Sequence, residues 1–303
     1  MPLVDFPQLV KAAEEGGYAV GYFESWNLES LLAVADAAEA VQSPVILGFS
    51  GIYLPHPERR LADPLAAYAA MAREVGEALS VPCCLLFNES PNLDWVLAAI
   101  DLGFHLVMLS RDDWQPQDQI EAIRRVVERA HAAGCAVEGE PAPLAGVAGD
   151  RAGDVDDRRL TDVSAARRFV EQTGVDALAV SVGQVHLHGR RTVNLDLELL
   201  SELREAVGVP LVLHGASSVA RDDLRRAVEL GVRKINVGSL LKQAFFDALC
   251  RACDEQRTHA NPYQVIGSGL DRDVLVAGRL AMQRTVEEFM RCFGSAGKAG
   301  RAT

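Results

Sequence analysis

The chain has 303 residues, 49% of them hydrophobic, and a formal net charge of −12. This length and apolar content allow a large buried core. The acidity argues against nonspecific binding to nucleic acid or to an anionic membrane, while a local pocket for a small anion stays open. No apolar run reaches the roughly 18–20 residues of a membrane-spanning helix, and the acidic, amphipathic N-terminus has no apolar signal core, so a cytoplasmic location is expected.

Along the chain, short apolar runs alternate with longer amphipathic segments. The runs are Tyr18–Phe23, Pro44–Phe49, Pro82–Phe87, Leu106–Ser110, Ala136–Glu140, Ala177–Val182, Pro210–Gly215 and Lys234–Ser239. They are rich in Val, Leu and Ile without a period-2 alternation, which is the pattern of parallel strands buried on both faces. Between them lie helical patterns such as LESLLAVADAAEAV, QIEAIRRVVERAHAAG and RDDLRRAVELG, several ending at a glycine. Eight such units in a row predict an α/β fold, a closed (β/α)₈ (TIM) barrel, with an open doubly wound sheet as the alternative. Residues 1–303 read as one domain. The Gly/Asp-rich stretch Gly146–Asp157 is expected to overhang the active-site face as a mobile loop. The segment Val274–Phe293 reads as an extra C-terminal helix, and residues 292–303 as a loose tail. Six cysteines include a C-x-x-C pair, Cys250 and Cys253, inside a helical pattern; with no second pair they read as thiols.

Barrel enzymes place their chemistry where strands end. The polar residues at those positions are Ser50, Asn88, Glu89, Ser110, Glu138, Glu140, His186, His188, His214, Gly215, Ser217, Ser218, Asn236 and Ser239. A lone strand-end histidine is more often a hydrogen-bonded structural residue. His186 and His214 follow adjacent strands, however, with Glu89 and Glu140 able to face them, so a divalent metal site is expected. Two His and one Glu form a known catalytic zinc set with a position open for substrate; the competing reading pairs Glu89 with a loop arginine. The HGASS and INVGS segments follow the last two strands, where backbone N–H groups at helix starts often cradle phosphate. The plainer reading is helix capping by Ser217, Ser218 and Ser239.

The blocks GGYAVGYFES, SPVILGFS, TGVDALAVSVG-x-x-H, VPLVLHGASSV, KINVGSLLK and FGSAGKA resemble class II fructose-bisphosphate and tagatose-bisphosphate aldolases along nearly the whole chain. The resemblance implies a metal-dependent lyase, with zinc as the expected metal and a monovalent cation as a further cofactor. It also implies a sugar-phosphate substrate and a homodimer or homotetramer. His186 and His214 match zinc histidines, and Glu140 matches a carboxylate near the metal. Gly215, Ser217, Asn236 and Ser239 match the site for the phosphate and hydroxyketone of dihydroxyacetone phosphate, and Ser50 matches a substrate contact. The departures carry as much information. Where the family has His-Leu-Asp-His at the end of the third strand, this chain has Leu86-Phe87-Asn88-Glu89, so the proton-moving Asp is Asn88 and a zinc His is Glu89. Ser110-Arg111-Asp112 stands for Asp-Gly-Ser, Glu24 for an Asn, and the mobile-loop glutamate is out of register. The expected activity is aldol or retro-aldol chemistry on a phosphorylated or modified sugar through an enediolate, with Asn88 and Glu89 at the catalytic position, and not ordinary fructose-bisphosphate cleavage. The alternatives are a catalytically silent sugar-phosphate binder, and an epimerase or isomerase on the same metal site.

Overall fold

A computed structural model describes residues 2–111, 113–141, 160–184, 192–257 and 261–301. The eight strands are β1 (Val20–Phe23), β2 (Val45–Ser50), β3 (Cys83–Ser90), β4 (Leu106–Leu109), β5 (Ala136–Gly139), β6 (Ala177–Val180), β7 (Leu211–Leu213) and β8 (Val232–Val237). They pair in parallel in sequence order and close β8 onto β1, with Tyr22 opposite Asn236. Every strand residue is buried, which explains the missing alternation: one face fills the barrel and the other lies under helices.

The helices are α1 (Phe6–Gly16), α2 (Leu28–Val41), α3 (Leu65–Ala78), α4 (Leu93–Asp101), α5 (Pro116–Ala132), α6 (Val163–Thr173), α7 (Leu197–Ala206), α8 (Arg221–Glu229), α9 (Ser239–Gln256), α10 (Pro262–Val265) and α11 (Val274–Cys292). The helix start signals are local. Asn27 and Ser30 form a reciprocal capping box on α2, and Asp5, Asn92, Asp162 and Asp196 cap α1, α4, α6 and α7. The first helix closes the barrel floor. Its Phe6, Leu9, Val10 and Ala13 join the inward-facing Val20, Tyr22, Cys84, Leu86, Met108 and Val212 in one apolar cluster, leaving only the C-terminal ends of the strands for a site.

The C-terminal helix α11 packs on α2 and α9. Arg279 makes two hydrogen bonds to Asp36 of α2, at 2.6 and 2.8 Å, and Phe289 and Phe293 sit against Phe23 of β1. The tail expected to be loose is docked as far as it is described. Ser295 is buried and bonded to Ser43 at 2.8 Å, and the N–H groups of Gly297 and Ala299 donate to the carbonyls of Val41 and Gln42. The reason is that α2 ends in exposed carbonyl groups, and this small-residue segment supplies their donors. The loop Gly146–Asp157 lies outside the described residues, as do Asp112, His186 and His188. No described helix is long and apolar enough to cross a membrane.

Candidate active site

A cleft opens at the C-terminal mouth of the barrel. It is lined by Tyr22 of β1 and Glu24 just past it, Asn88 and Glu89 from β3, His214, Gly215, Ser217 and Ser218 after β7, and Asn236 to Ser239 at the end of β8. The inward alternation of two strands builds half of it: Tyr22 on β1 continues to Glu24, and Asn236 on β8 continues to Gly238, with Lys234 buried one step below Asn236.

The third strand supplies its part by breaking regularity. Asn88 and Glu89 do not follow β3, as their sequence position suggested; they lie inside it, where the register against β4 shifts between Phe87 and Ser90. Glu89 has φ +48°, a left-handed conformation that a side chain with a Cβ rarely adopts. Such a bulge re-aims side chains, and the strain of about 1–3 kcal/mol is held by the surrounding sheet. Both Asn88 and Glu89 consequently face the cleft. Glu89 takes His214 as a partner.

His214 is the hub. Its Nδ1 lies 2.9 Å from Glu89 Oε1 and its Nε2 lies 2.6 Å from Glu138 Oε1. Asn236 Nδ2 stands 3.0 Å from the same Nε2, and Lys234 Nζ donates to Asn236 Oδ1 at 2.5 Å and pairs with Glu138 Oε2 at 2.8 Å. Asn88 Nδ2 donates to Glu89 Oε2 at 2.8 Å. The chain thus runs Asn88–Glu89–His214–Glu138–Lys234, buried throughout. Burial works against a charged imidazole, but the carboxylates of Glu89 and Glu138 outweigh it and push His214 up to about 10. Burial likewise opposes the Glu138 carboxylate, yet Lys234 and then His214 pull it down to about 2. Glu140 has no such cation in contact. Burial pushes it up to about 7 against the pull of the His214 charge, and its carboxyl accepts from the Ser110 hydroxyl; Glu140 is not among the described lining residues.

The anion side of the cleft is formed by Gly215, which turns the chain at φ +66° into a 3-10 turn at Ala216–Ser218, and by the start of α9. Gly238 caps α9 without a side chain of its own, and the N–H of Leu240 donates to Ser217 Oγ at 3.4 Å. Ser217 therefore serves as a cap across two elements, beside its place on the cleft. Glu24 lies against this corner: a Cβ on Gly238 would overlap its Oε2, and its Oε1 accepts from Lys242 Nζ at 2.6 Å. Ser50 is the register partner of Asn88, but its hydroxyl accepts from the Ile52 N–H and it is not among the described lining residues.

The structure brings Asn88, Glu89, His214, Gly215, Ser217, Asn236 and Ser239 to one cleft. It sets Glu140 and Ser50 beside it, and His186 lies outside the described residues. Sequence reasoning missed Tyr22, Lys234 and Lys242. The available signal for the first two was their inward parity with Glu24 and Asn236.

No group of three or more His, Cys, Asp or Glu among the described residues is arranged to hold a metal ion. The geometry explains this: Glu89 and Glu138 address opposite nitrogens of the His214 ring and cannot share an ion. The donor chemistry nevertheless fits part of a metal site. Glu138 fixes the ring through Nε2, as an orienting carboxylate does for a metal-bound histidine, and Nδ1 faces the Glu89 oxygen across a gap that a proton now bridges.

A barrel with this mouth is an enzyme scaffold with a polar, charge-dense pocket at its catalytic end. The chain belongs to the class II fructose-bisphosphate aldolase family: the family model "Fructose-bisphosphate aldolase class-II" matches residues 4–298. Membership implies metal-dependent aldolase-type lyase chemistry on a sugar phosphate. Among solved structures, the YdjI aldolase from Escherichia coli K12 is 27% identical, with TM-score 0.76 over 98% of this chain and 99% of that one. A candidate fructose-1,6-bisphosphate aldolase from Coccidioides immitis is 28% identical, with TM-score 0.78 over 97% of each chain. The fructose-bisphosphate aldolase of Campylobacter jejuni shares the fold at 21% identity, with TM-score 0.77 over 98% of this chain and 97% of that one.

Proposed function

We propose that this chain is a lyase that makes or breaks a carbon–carbon bond of a phosphorylated or modified sugar through an enediolate, and that fructose 1,6-bisphosphate is not its substrate. The observation that carries this reading is the Glu89–His214 contact at 2.9 Å in the same cleft as the starts of α9 and the 216–218 turn. A ligand-capable pair is kept where the family needs one, next to N–H groups and hydroxyls suited to an anion.

His214 Nδ1 and Glu89 would hold a divalent metal, zinc first, together with His186. When bound, the metal polarises a ketone and favours its enediolate. The chain's own residues do the rest. Glu138, with Lys234 behind it, holds the imidazole ring in orientation. Gly215, Ser217 and Ser239 bind the phosphate, and Asn236, held through its Oδ1 by Lys234, contacts the substrate. Asn88 has no titratable proton and orients a substrate oxygen. Proton transfer falls to Glu24, which lines the cleft and is engaged by Lys242 and not by His214.

The test is solvent deuterium exchange into dihydroxyacetone phosphate, followed by NMR with added zinc, cobalt or manganese, beside a coupled cleavage assay on fructose and tagatose bisphosphates. We expect exchange at the hydroxymethyl carbon that is lost in His214→Ala, and negligible bisphosphate cleavage. Ordinary turnover of either bisphosphate would overturn the substrate assignment. No exchange with any metal, with phosphate still bound, would leave a silent sugar-phosphate binder in place of a lyase.

A further inference from the structure

Two polar atoms on the cleft wall have no hydrogen-bond partner among the described residues: the hydroxyl of Tyr22 and the carbonyl oxygen of Asn88. Both residues line the cleft and both are only 1% exposed, so water does not amply solvate them. A buried polar atom without a partner carries a desolvation penalty, and a fold keeps it at a site when a ligand supplies the missing bond.

The two atoms have opposite roles. The Asn88 amide cannot be turned over, because its Nδ2 donates to Glu89 Oε2 at 2.8 Å and a carboxylate only accepts. Its Oδ1 is therefore the end left without a partner among the described residues, and it is an acceptor. Tyr22 is a phenol and can donate. Its ring is fixed from below by the apolar barrel interior and lies with Lys234 Nζ 5.4 Å from its centroid, so the hydroxyl has little freedom to swing toward other partners. We propose that Tyr22 and Asn88 form a clamp for one substrate hydroxyl group, with the Tyr22 O–H donating to the hydroxyl oxygen and Asn88 Oδ1 accepting the hydroxyl hydrogen.

This deepens the sugar-phosphate reading and rests on it. A hydroxyl both donates and accepts, so it satisfies the clamp; a phosphate oxygen or a ketone only accepts and leaves Asn88 Oδ1 unpaired. The clamp thus selects a neutral polyol end near the Glu89–His214 pair and directs the phosphate to the Ser217 and Ser239 side. Tyr22 becomes a specificity-determining residue, and Asn88 acquires a recognition role in place of proton transfer.

The experiment uses four probes on the intact protein, by calorimetry or competition: inorganic phosphate, glycerol 3-phosphate, propane-1,2-diol 1-phosphate and propane-1,3-diol 1-phosphate. The two diol esters each lack one hydroxyl of glycerol phosphate. In wild type, one of them should bind about 10-fold more weakly than glycerol 3-phosphate, the size of one lost neutral hydrogen bond with its partner left buried. Tyr22→Phe keeps the ring, so that difference should collapse while phosphate affinity holds. A purely structural tyrosine would not behave this way, and its loss would lower the melting temperature. Removing an unpaired hydroxyl should instead leave that temperature unchanged or raise it. Three esters binding alike in wild type, or discrimination surviving Tyr22→Phe, overturns the clamp alone. Failure of phosphate and all three esters to bind overturns the sugar-phosphate reading beneath it.

Discussion

His214 sits between two carboxylates, and its charge state decides how a metal enters. With its proton held up to about 10, the metal-free imidazole is charged at about pH 8, and the unperturbed value of 6.5 would leave it neutral there. A folded-state value above the unfolded one means that the imidazolium stabilises the metal-free fold fully below 6.5 and loses that contribution as pH rises toward about 10. A metal ion on Nδ1 must expel the proton, because ligands bind deprotonated. Zinc titrations at about pH 8, in buffers of different ionisation enthalpy, should therefore show about one proton released per ion. A heat of binding independent of buffer would contradict the assignment of His214 as a ligand. The neighbouring Asn88 gives a second test. Asn88→Asp restores a titratable group, and general acid–base catalysis is worth about 10²–10⁴-fold. In the metal-loaded protein, the variant should raise a trace cleavage of fructose 1,6-bisphosphate at least about 10-fold. An unchanged rate would show that this position does not limit the reaction.

Among the strands, β2 and β3 set the geometry of the site because Ser50 and Asn88 are in register at the mouth. Their close approach depends on Gly48, where a Cβ would overlap the carbonyl oxygen of Leu86 on β3. Backbone cannot yield as a side chain can, so Gly48→Ala should cost about 3 kcal/mol or prevent folding. Denaturant unfolding of the purified variant measures this; a loss under about 0.5 kcal/mol would mean that the pair tolerates splaying. The bulge farther along β3 is a second element-scale device. It was not legible in the sequence, because Asn88 and Glu89 read as strand-end site residues that follow an apolar run, with nothing to mark a break in register. A left-handed glutamate has no sequence signature; it exists because the sheet on both sides holds it in place.

At the scale of the whole molecule, α11 and the segment after it seal the seam where β8 meets β1. Phe293 stacks on Phe23 with centroids 6.3 Å apart, and its carbonyl accepts from the Ala19 N–H, so one residue joins the C-terminus to the first strand. Phe293→Ala should cost about 3–5 kcal/mol, since the ring is fully buried and the surrounding helices cannot collapse into the void. A drop in the denaturant midpoint with unchanged slope is the expected reading. A loss near that of a surface substitution would show that the seam is held by α11 alone. The tail read as frayed because GSAGKAG carries no apolar pattern. Its stability comes from backbone donors meeting the open end of α2, a contact between residues some 250 positions apart that composition does not encode.

The sequence by itself determined the eight βα units, their order around the barrel, and most of the strand-end residues that share the mouth. It could do so because buried parallel strands and amphipathic helices are written in local patterns of apolar residues, and a barrel places all strand ends together. The resemblance carried by its motifs also determined the family. What only the tertiary structure decided is how those residues address one another. His214 faces Glu89 with one nitrogen and Glu138 with the other, Lys234 is buried behind them, Glu140 accepts from Ser110, and Tyr22 stands in the wall with no hydrogen-bond partner for its hydroxyl among the described residues. These relations depend on the bulge in β3 and on the inward parity of β1 and β8. Hydrogen bonding and charge pairing act over about 3 Å, and a one-residue difference in register or aim makes or breaks them.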